Sequence, residues 1–320
     1  MARVAIGMPV LNAEGTVARA LRDLQAQTYP DIEIVVCDNA STDRTAEIVE
    51  ELASADPRIR LVRFREKVDI LGSFRRAWEQ CSAPYFMFAP ADDRWYASWI
   101  AEAVAVLDAD PELAACNCRV AFTDDGLFAG ISSGTRPIAG SARQRLRRFW
   151  ADPAENARAF GVYRHGAFAG AFPDRWIPGW DFVFTARALM HGNQAEIPRV
   201  LMERDRTPLS KYVAEFDRYF RGKPGRWFPL APVMGAVLRD RAMPKDPGVL
   251  WNLMVLVLRS HVTYALHRTR RWGPFVARLA ERVRLMRWPI SAPLAEDQAP
   301  TAISSGASPS ASRSARISSR

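Results

Sequence analysis

Four short apolar runs mark the first ninety residues, and a stretch with helical spacing follows each of them. Val4–Met8 precedes Val17, Leu21 and Leu24, which recur every three to four residues. The β-branched run Ile32–Cys37 stops at Asp38. Ser41, Thr42 and Asp43 then offer cap side chains to a helix carrying Ala46, Ile48, Val49 and Leu52. Ile59–Phe64 leads to a helix over 72–81, and Tyr85–Phe88 leads to one over 99–107; Leu113–Phe122 is a further extended run. Repeated strand–helix units of this kind fold as an α/β domain with a mostly parallel sheet flanked by helices. Such a sheet binds ligands beyond the carboxyl ends of its strands. The polar residues of this chain stand there: Asn12 and Glu14 after the first run, Asp38 and Asn39 after the second, Asp92 and Asp93 after the fourth.

Beyond residue 125 the pattern loosens. Residues 141–150 suggest a basic helix. Residues 160–205 are rich in Trp, Phe and Gly and hold one helix, 182–190, closed by Gly192. Residues 210–221 and 248–288 suggest further helices, and from 291 the composition of Ser, Ala, Pro and Arg predicts a disordered tail. The expected division is a ligand-binding α/β half over 1–125, a looser second half of the same domain over 126–209, a basic helical extension over 210–290, and the tail over 291–320.

Charge follows the same division. Residues 1–125 hold 13 Lys/Arg against 21 Asp/Glu, whereas residues 126–320 hold 31 against 14. A basic second half favours a polyanionic partner. Over 248–290, eight arginines alternate with Trp251, Leu253, Leu256, Phe275, Leu279, Met286 and Trp288. That mixture suits a helix lying on anionic lipid; the competing reading is a helix packed on its domain with a solvated basic face. No nucleic-acid-binding module is recognisable, so no nucleic acid is expected. Cys37, Cys81, Cys116 and Cys118 show neither a CxxC pair nor zinc spacing and are expected to be reduced and buried. The start Met1-Ala2-Arg3 leads straight into the first strand without a leader pattern, and no apolar run approaches the length of a membrane span. The expected location is the cytoplasm, at the inner face of the cell membrane where the basic helices touch lipid. No G-x-G-x-x-G follows the first strand, which excludes a dinucleotide oxidoreductase.

Met8-Pro9-Val10-Leu11-Asn12-Ala13-Glu14, followed by the ordered string from Gln27 through Asp38-Asn39-Ala40-Ser41-Thr42-Asp43-Arg44 to Thr45, resembles family 2 glycosyltransferases. The resemblance implies a GT-A fold and a hexosyltransferase acting on a nucleotide-diphosphate sugar, of the kind used in polysaccharide biosynthesis. By the family's pattern, Pro9, Leu11, Asn12, Glu14, Asp38 and Asn39 would bind the nucleotide. Asp92 and Asp93 would hold Mn²⁺ or Mg²⁺, with Asp92 as the direct ligand. The string Pro90-Ala91-Asp92-Asp93 keeps only part of the family's D-x-D signature, because Pro90 stands where a carboxylate is common. Gly179-Trp180-Asp181 resembles the region bearing the catalytic acid residue, so Asp181 would be the base. Arg204 and Arg206 would contact the diphosphate.

The chemistry fits those residue types. Charge develops on the departing phosphate oxygen, and a divalent ion with oxygen ligands offsets it. A carboxylate opposite the diphosphate would deprotonate an attacking hydroxyl of a glycan or lipid-linked acceptor, giving inversion. The rival readings are a helix cap for Asp38 and Asp181, a solvated turn for Asp92 and Asp93, and surface charge for Arg204 and Arg206. At the level of function the rivals are a non-catalytic nucleotide-binding scaffold, motivated by Pro90, and a sugar nucleotidyltransferase.

Overall fold

The computed structural model describes residues 2–124, 126–205, 214, 216–221 and 228–268. They belong to one compact unit, Met1–Arg271. Arg206, the tail from 291 and the arginine-rich stretch after 268 lie outside the described residues.

The strands are β1 (Val4–Val10), β2 (Ile32–Asp38), β3 (Ile59–Arg63), β4 (Tyr85–Phe88), β5 (Arg94–Trp95), β6 (Leu113–Asp124), β7 (Leu127–Ile131), β8 (Val162–Arg164) and β9 (Asn193–Asp205). They form one sheet in the order β3-β2-β1-β4-β8-β6-β9-β5, with β7 added alongside β6. The pairs β1–β2, β1–β4, β2–β3 and β6–β9 are parallel. The short β8 joins the two parallel blocks by pairing antiparallel to both β4 and β6. β4 and β6 therefore point the same way, and every parallel strand ends on one edge of the sheet. The expected convergence of the loops after β1, β2 and β4 follows from this register, since Val10 lies beside Asp38 and Gly7 beside Phe88.

Helices α1 (Val17–Gln25), α2 (Thr45–Ala55) and α4 (Trp99–Ala109) share one face with Ile6, Met8, Ile34 and Val36. The other face buries Ala5, Val35, Phe86 and Phe88 against α3 (Ile70–Glu79), α5 (Ala142–Ala151), α6 (Trp180–Ala188), α7 (Ala231–Arg239) and α8 (Pro247–Arg268). Alternation along β1 and β2 divides the two cores, because successive side chains leave opposite faces of a strand. A sheet covered on both faces needs apolar residues on both, which is why these strands read as continuous apolar runs. The four cysteines are free and buried, and burial pushes their thiols up, that of Cys37 to about 12. They pack as small apolar residues.

Three local expectations change. The helix expected over 182–190 runs from Trp180 to Ala188 and ends at Leu189 in right-handed geometry, so Gly192 does not close it. Gly192 instead lies where any added Cβ would come within 2.6 Å of the Glu112 carbonyl at the start of β6. The third strand ends at Arg63, one residue early, and the Phe64 N–H makes the last ladder bond to the Asp38 carbonyl. Trp150 and Trp180 are core residues, and Trp176 packs edge-on against Tyr219.

Candidate active site

The loop after β1 and the loop after β2 are stitched together by short polar side chains. Asn12, in left-handed geometry at φ 51°, donates its N–H to Ser41 Oγ at 2.9 Å and accepts from Thr42 N–H at 2.9 Å through Oδ1. Glu14 accepts from the Arg44 N–H at 3.1 Å, and its own N–H donates to Asp43. Asp43 also accepts from the N–H and hydroxyl of Thr45 at the start of α2, the helix-start role expected of it. Asn39 is buried, and its amide both donates to the Val68 carbonyl and accepts from the Val68 N–H. Asn12, Glu14 and Asn39 therefore fasten these loops with their own side chains. Pro9 is partly buried and Leu11 is exposed.

Asp38 is buried at the tip of β2. Its Oδ1 accepts from the Ser41 N–H at 3.1 Å, and its Oδ2 lies 3.8 Å from Arg63 Nε. Two strand spacings, about 10 Å, separate β2 from β4 along the same edge. Beyond β4 the chain turns through Pro90-Ala91-Asp92-Asp93, with the Asp93 N–H on the Pro90 carbonyl. Pro90 has no N–H to give, and the turn asks for none there. Arg19 of α1 holds the Asp92 carbonyl at 2.9 Å and leaves the Asp92 carboxylate exposed.

Asp93 points inward. Its Oδ1 accepts from Arg204 Nε at 3.1 Å, while Oδ2 is buried without a hydrogen-bond partner. Its carboxyl is pushed up to about 7, chiefly by burial, with Arg204 opposing the rise and Asp92 and Asp205 adding to it. Arg204 lies on β9 and stacks over the Phe160 ring, 3.9 Å from its centroid. The guanidinium is thus fixed by a carboxylate in its plane and an aromatic face beneath it.

The third participant comes from α6. Gly179, at φ 73°, starts that helix, and a Cβ there would sit 2.9 Å from Leu230 and Val233. Glycine lets α7 approach and aims the first turn of α6 at the sheet edge. Asp181 stands in that turn without being its cap residue. Its Oδ2 accepts from the Asn156 side-chain amide at 2.9 Å. Burial raises the Asp181 carboxyl above the ordinary carboxylate range, while Asn156 and the Arg204 charge pull it back down. Arg204 is paired with Asp93, and its charge is also felt at Asp181.

Two contributors had no strong signal in the sequence. Asn156 adopts left-handed geometry at φ 52° in the loop after α5, and Phe160 lies in a short 3₁₀ turn. Pro153 and Asn156 mark a turn, but the partner of the Asn156 amide lies 25 positions away. Among the described residues, no three His, Cys, Asp or Glu side chains gather closely enough to hold a metal by themselves.

The family model described as glycosyl transferase family 2 matches residues 5–169, which is more than half of the chain. The chain belongs to that family. A UDP-Glc:alpha-D-GlcNAc-diphosphoundecaprenol beta-1,3-glucosyltransferase of Escherichia coli, WfgD, is 34% identical over 95 residues, 30% of this chain and 37% of that protein. An uncharacterized glycosyltransferase of Haemophilus influenzae is 30% identical over 104 residues, 32% of each chain. The match thus spans about a third of these relatives' length. Solved structures extend the likeness of fold to most of the chain. S. aureus TarS 1–349 superposes with a TM-score of 0.61 at 14% identity, covering 89% of this chain and 87% of that one. The mannosyltransferase PcManGT from Pyrobaculum calidifontis, solved with GDP-Man and Mn²⁺, gives 0.55 at 22% identity over 90% and 81%. The fold of this family 2 member is therefore the GT-A fold.

Proposed function

We propose that this chain is a metal-dependent, inverting glycosyltransferase that moves a sugar from a nucleotide-diphosphate donor to a hydroxyl of a glycan or lipid-linked acceptor. The observation that carries the proposal is that Arg204 is paired with Asp93 on the β4 loop while its charge also reaches Asp181 at the start of α6. The Asp93 end suits phosphate chemistry and the Asp181 end suits proton removal.

The carboxylates fit a hard divalent cation. Asp92 is exposed at the rim, and Asp93 Oδ2 has no hydrogen-bond partner. Such ions accept one or two carboxylates plus substrate phosphates and waters. Asp92 would hold Mn²⁺ or Mg²⁺ directly and Asp93 would support it, the ion supplying Lewis-acid stabilisation of the leaving diphosphate. PcManGT was solved with Mn²⁺ and GDP-Man, and TarS 1–349 with UDP-GlcNAc and with UDP, which supports both a divalent ion and a nucleotide-sugar donor here.

The other roles follow from position. Asp38 would accept from the base, with Leu11 and Pro9 against its plane and the fastened loops of Asn12, Glu14 and Asn39 holding the wall. Arg204 would place positive charge beside the diphosphate. Asp181 would take the proton of the acceptor hydroxyl, since a carboxyl raised by burial is a stronger base than an ordinary one. An acceptor tethered in a bilayer would bring the enzyme to the inner face of the cell membrane. The test is a panel of nucleotide sugars with and without Mn²⁺, reading release of nucleotide diphosphate and transfer to an acceptor. Donor binding without release under every condition would leave only a nucleotide-binding scaffold.

A further inference from the structure

Helix α8 is apolar on two opposite sides. Val249, Leu253, Val257 and Tyr264 are buried against the domain. At 100° per residue these lie within one arc of the helix. Trp251, Met254, Leu258 and Val262 recur at steps of three, four and four residues and occupy an arc on the other side. Their exposures are 61%, 37%, 47% and 40%. A helix on a globular domain ordinarily turns its apolar stripe to the core and polar residues outward. This one carries a second apolar stripe about 17 Å long facing outward.

Cations flank the stripe. Arg259 is exposed beside Leu258 and Val262. On the same flank α5 crosses: Asn252 donates to the Arg147 carbonyl at 2.8 Å, and the Arg147 guanidinium lies against Gly248. Arg143, Arg147 and Arg148 are all exposed on α5, and Lys245 is exposed just before α8. The acid at this end, Asp246, is already engaged by Arg143 at 3.2 Å and by the Val249 N–H at 2.9 Å. No helix among the described residues is long and apolar enough to cross a membrane.

We infer that the outer face of α8 docks on an anionic lipid bilayer, the helix lying in the interface with Trp251, Met254, Leu258 and Val262 among the acyl chains and the flanking arginines on lipid phosphates. Tryptophan and aliphatic groups beside cationic side chains are what an interfacial helix presents. Charge complementarity selects the occupant: a second copy of this face would bring Arg259, Arg147 and Lys245 against their own kind, whereas phosphates neutralise them. The inference rests on the lipid-linked acceptor of the proposed function and names the surface that would bring the enzyme to it.

The test uses the full chain, since the segment after 268 adds arginines of its own. Sedimentation with phosphatidylglycerol-containing vesicles is compared with pure phosphatidylcholine vesicles, for the wild type, Trp251→Ser/Leu258→Gln and Lys245→Glu/Arg259→Glu. Binding is expected to the anionic vesicles and to fall with salt. The apolar pair of changes should weaken partition by about tenfold or more. The charge reversals should weaken it by a similar factor for anionic vesicles. All four sites are exposed, so unfolding midpoints should stay at the wild-type value. Absent vesicle binding, or binding equal in all three proteins, would overturn the inference. So would a dimer in light scattering that Trp251→Ser/Leu258→Gln dissociates, which would give the face to a second copy. Release of nucleotide diphosphate, measured on the same proteins without vesicles, separates the two readings. Turnover without docking removes only the membrane surface, and docking without turnover removes only the glycosyltransferase reading.

Discussion

Replacing Arg204 by Met tests whether Asp93 and Arg204 form a unit. The pair is buried, with the arginine side chain 21% exposed and the aspartate 3%. Removing one partner of a buried pair costs about 3–5 kcal/mol when the other stays charged. Asp93 has an escape, because its carboxyl is already raised to about 7 by burial and loses its main opposing charge in the variant. It would remain protonated in folded Arg204→Met well above pH 7, while in the unfolded chain it ionises near 4. A carboxyl raised by folding stabilises the native state at low pH, and that contribution is lost as pH rises through the folded value. The wild type loses it up to about pH 7. The variant continues to lose about 1.4 kcal/mol per pH unit beyond that. The destabilisation by Arg204→Met should therefore be smallest near pH 6 and grow by about 2 kcal/mol by pH 8.5. Urea unfolding at pH 6, 7, 8 and 8.5 in EDTA measures it, with constant m as the control. Adding Asp93→Asn should remove most of the pH-dependent part. A pH-independent loss, or single changes that add within about 0.5 kcal/mol, would refute the coupling.

Asp181→Asn should keep affinity for the nucleotide sugar and lose transfer by about 10²–10⁴-fold. In the wild type, kcat/KM should fall on acidification at a pH above the ordinary carboxylate range, because burial raises the Asp181 carboxyl and the base acts only when ionised; an acid limb near pH 4 would remove the assignment. Asp92→Ala should abolish Mn²⁺-dependent donor binding in titration calorimetry, and unchanged metal dependence would move the ion elsewhere. Asn39→Ala removes both bonds to Val68 and leaves that backbone unsatisfied. It should cost about 2–3 kcal/mol in urea unfolding, with a weaker grip on the nucleotide. Removing residues 291–320 should leave turnover intact, and a dead truncation would make the tail part of the enzyme.

The first half of this chain was legible from its sequence because local rules apply to it. Strand–helix alternation follows from apolar periodicity. Parallel strands put their carboxyl ends on one edge, so Asp38, Asp92 and Asp93 share a rim by register alone. The roles within the rim were not legible. Asn12, Glu14 and Asn39 carry the polar chemistry of binding residues, yet their side chains fasten one loop to another. Asp92 and Asp93 are adjacent in the chain, and only packing exposes one and buries the other. Asp181 needed Gly179 to let α7 approach, Asn156 to hold it, and the charge of Arg204 from a distant strand to temper it. The outward apolar stripe of α8 shows the same limit, since a helix with two apolar stripes does not say which one the domain will cover. Periodicity and turn chemistry act over a few residues and are written in order along the chain. Burial, charge pairing and the choice of covered face depend on contacts between residues far apart in that order, and only the packed sheet and helices bring them together.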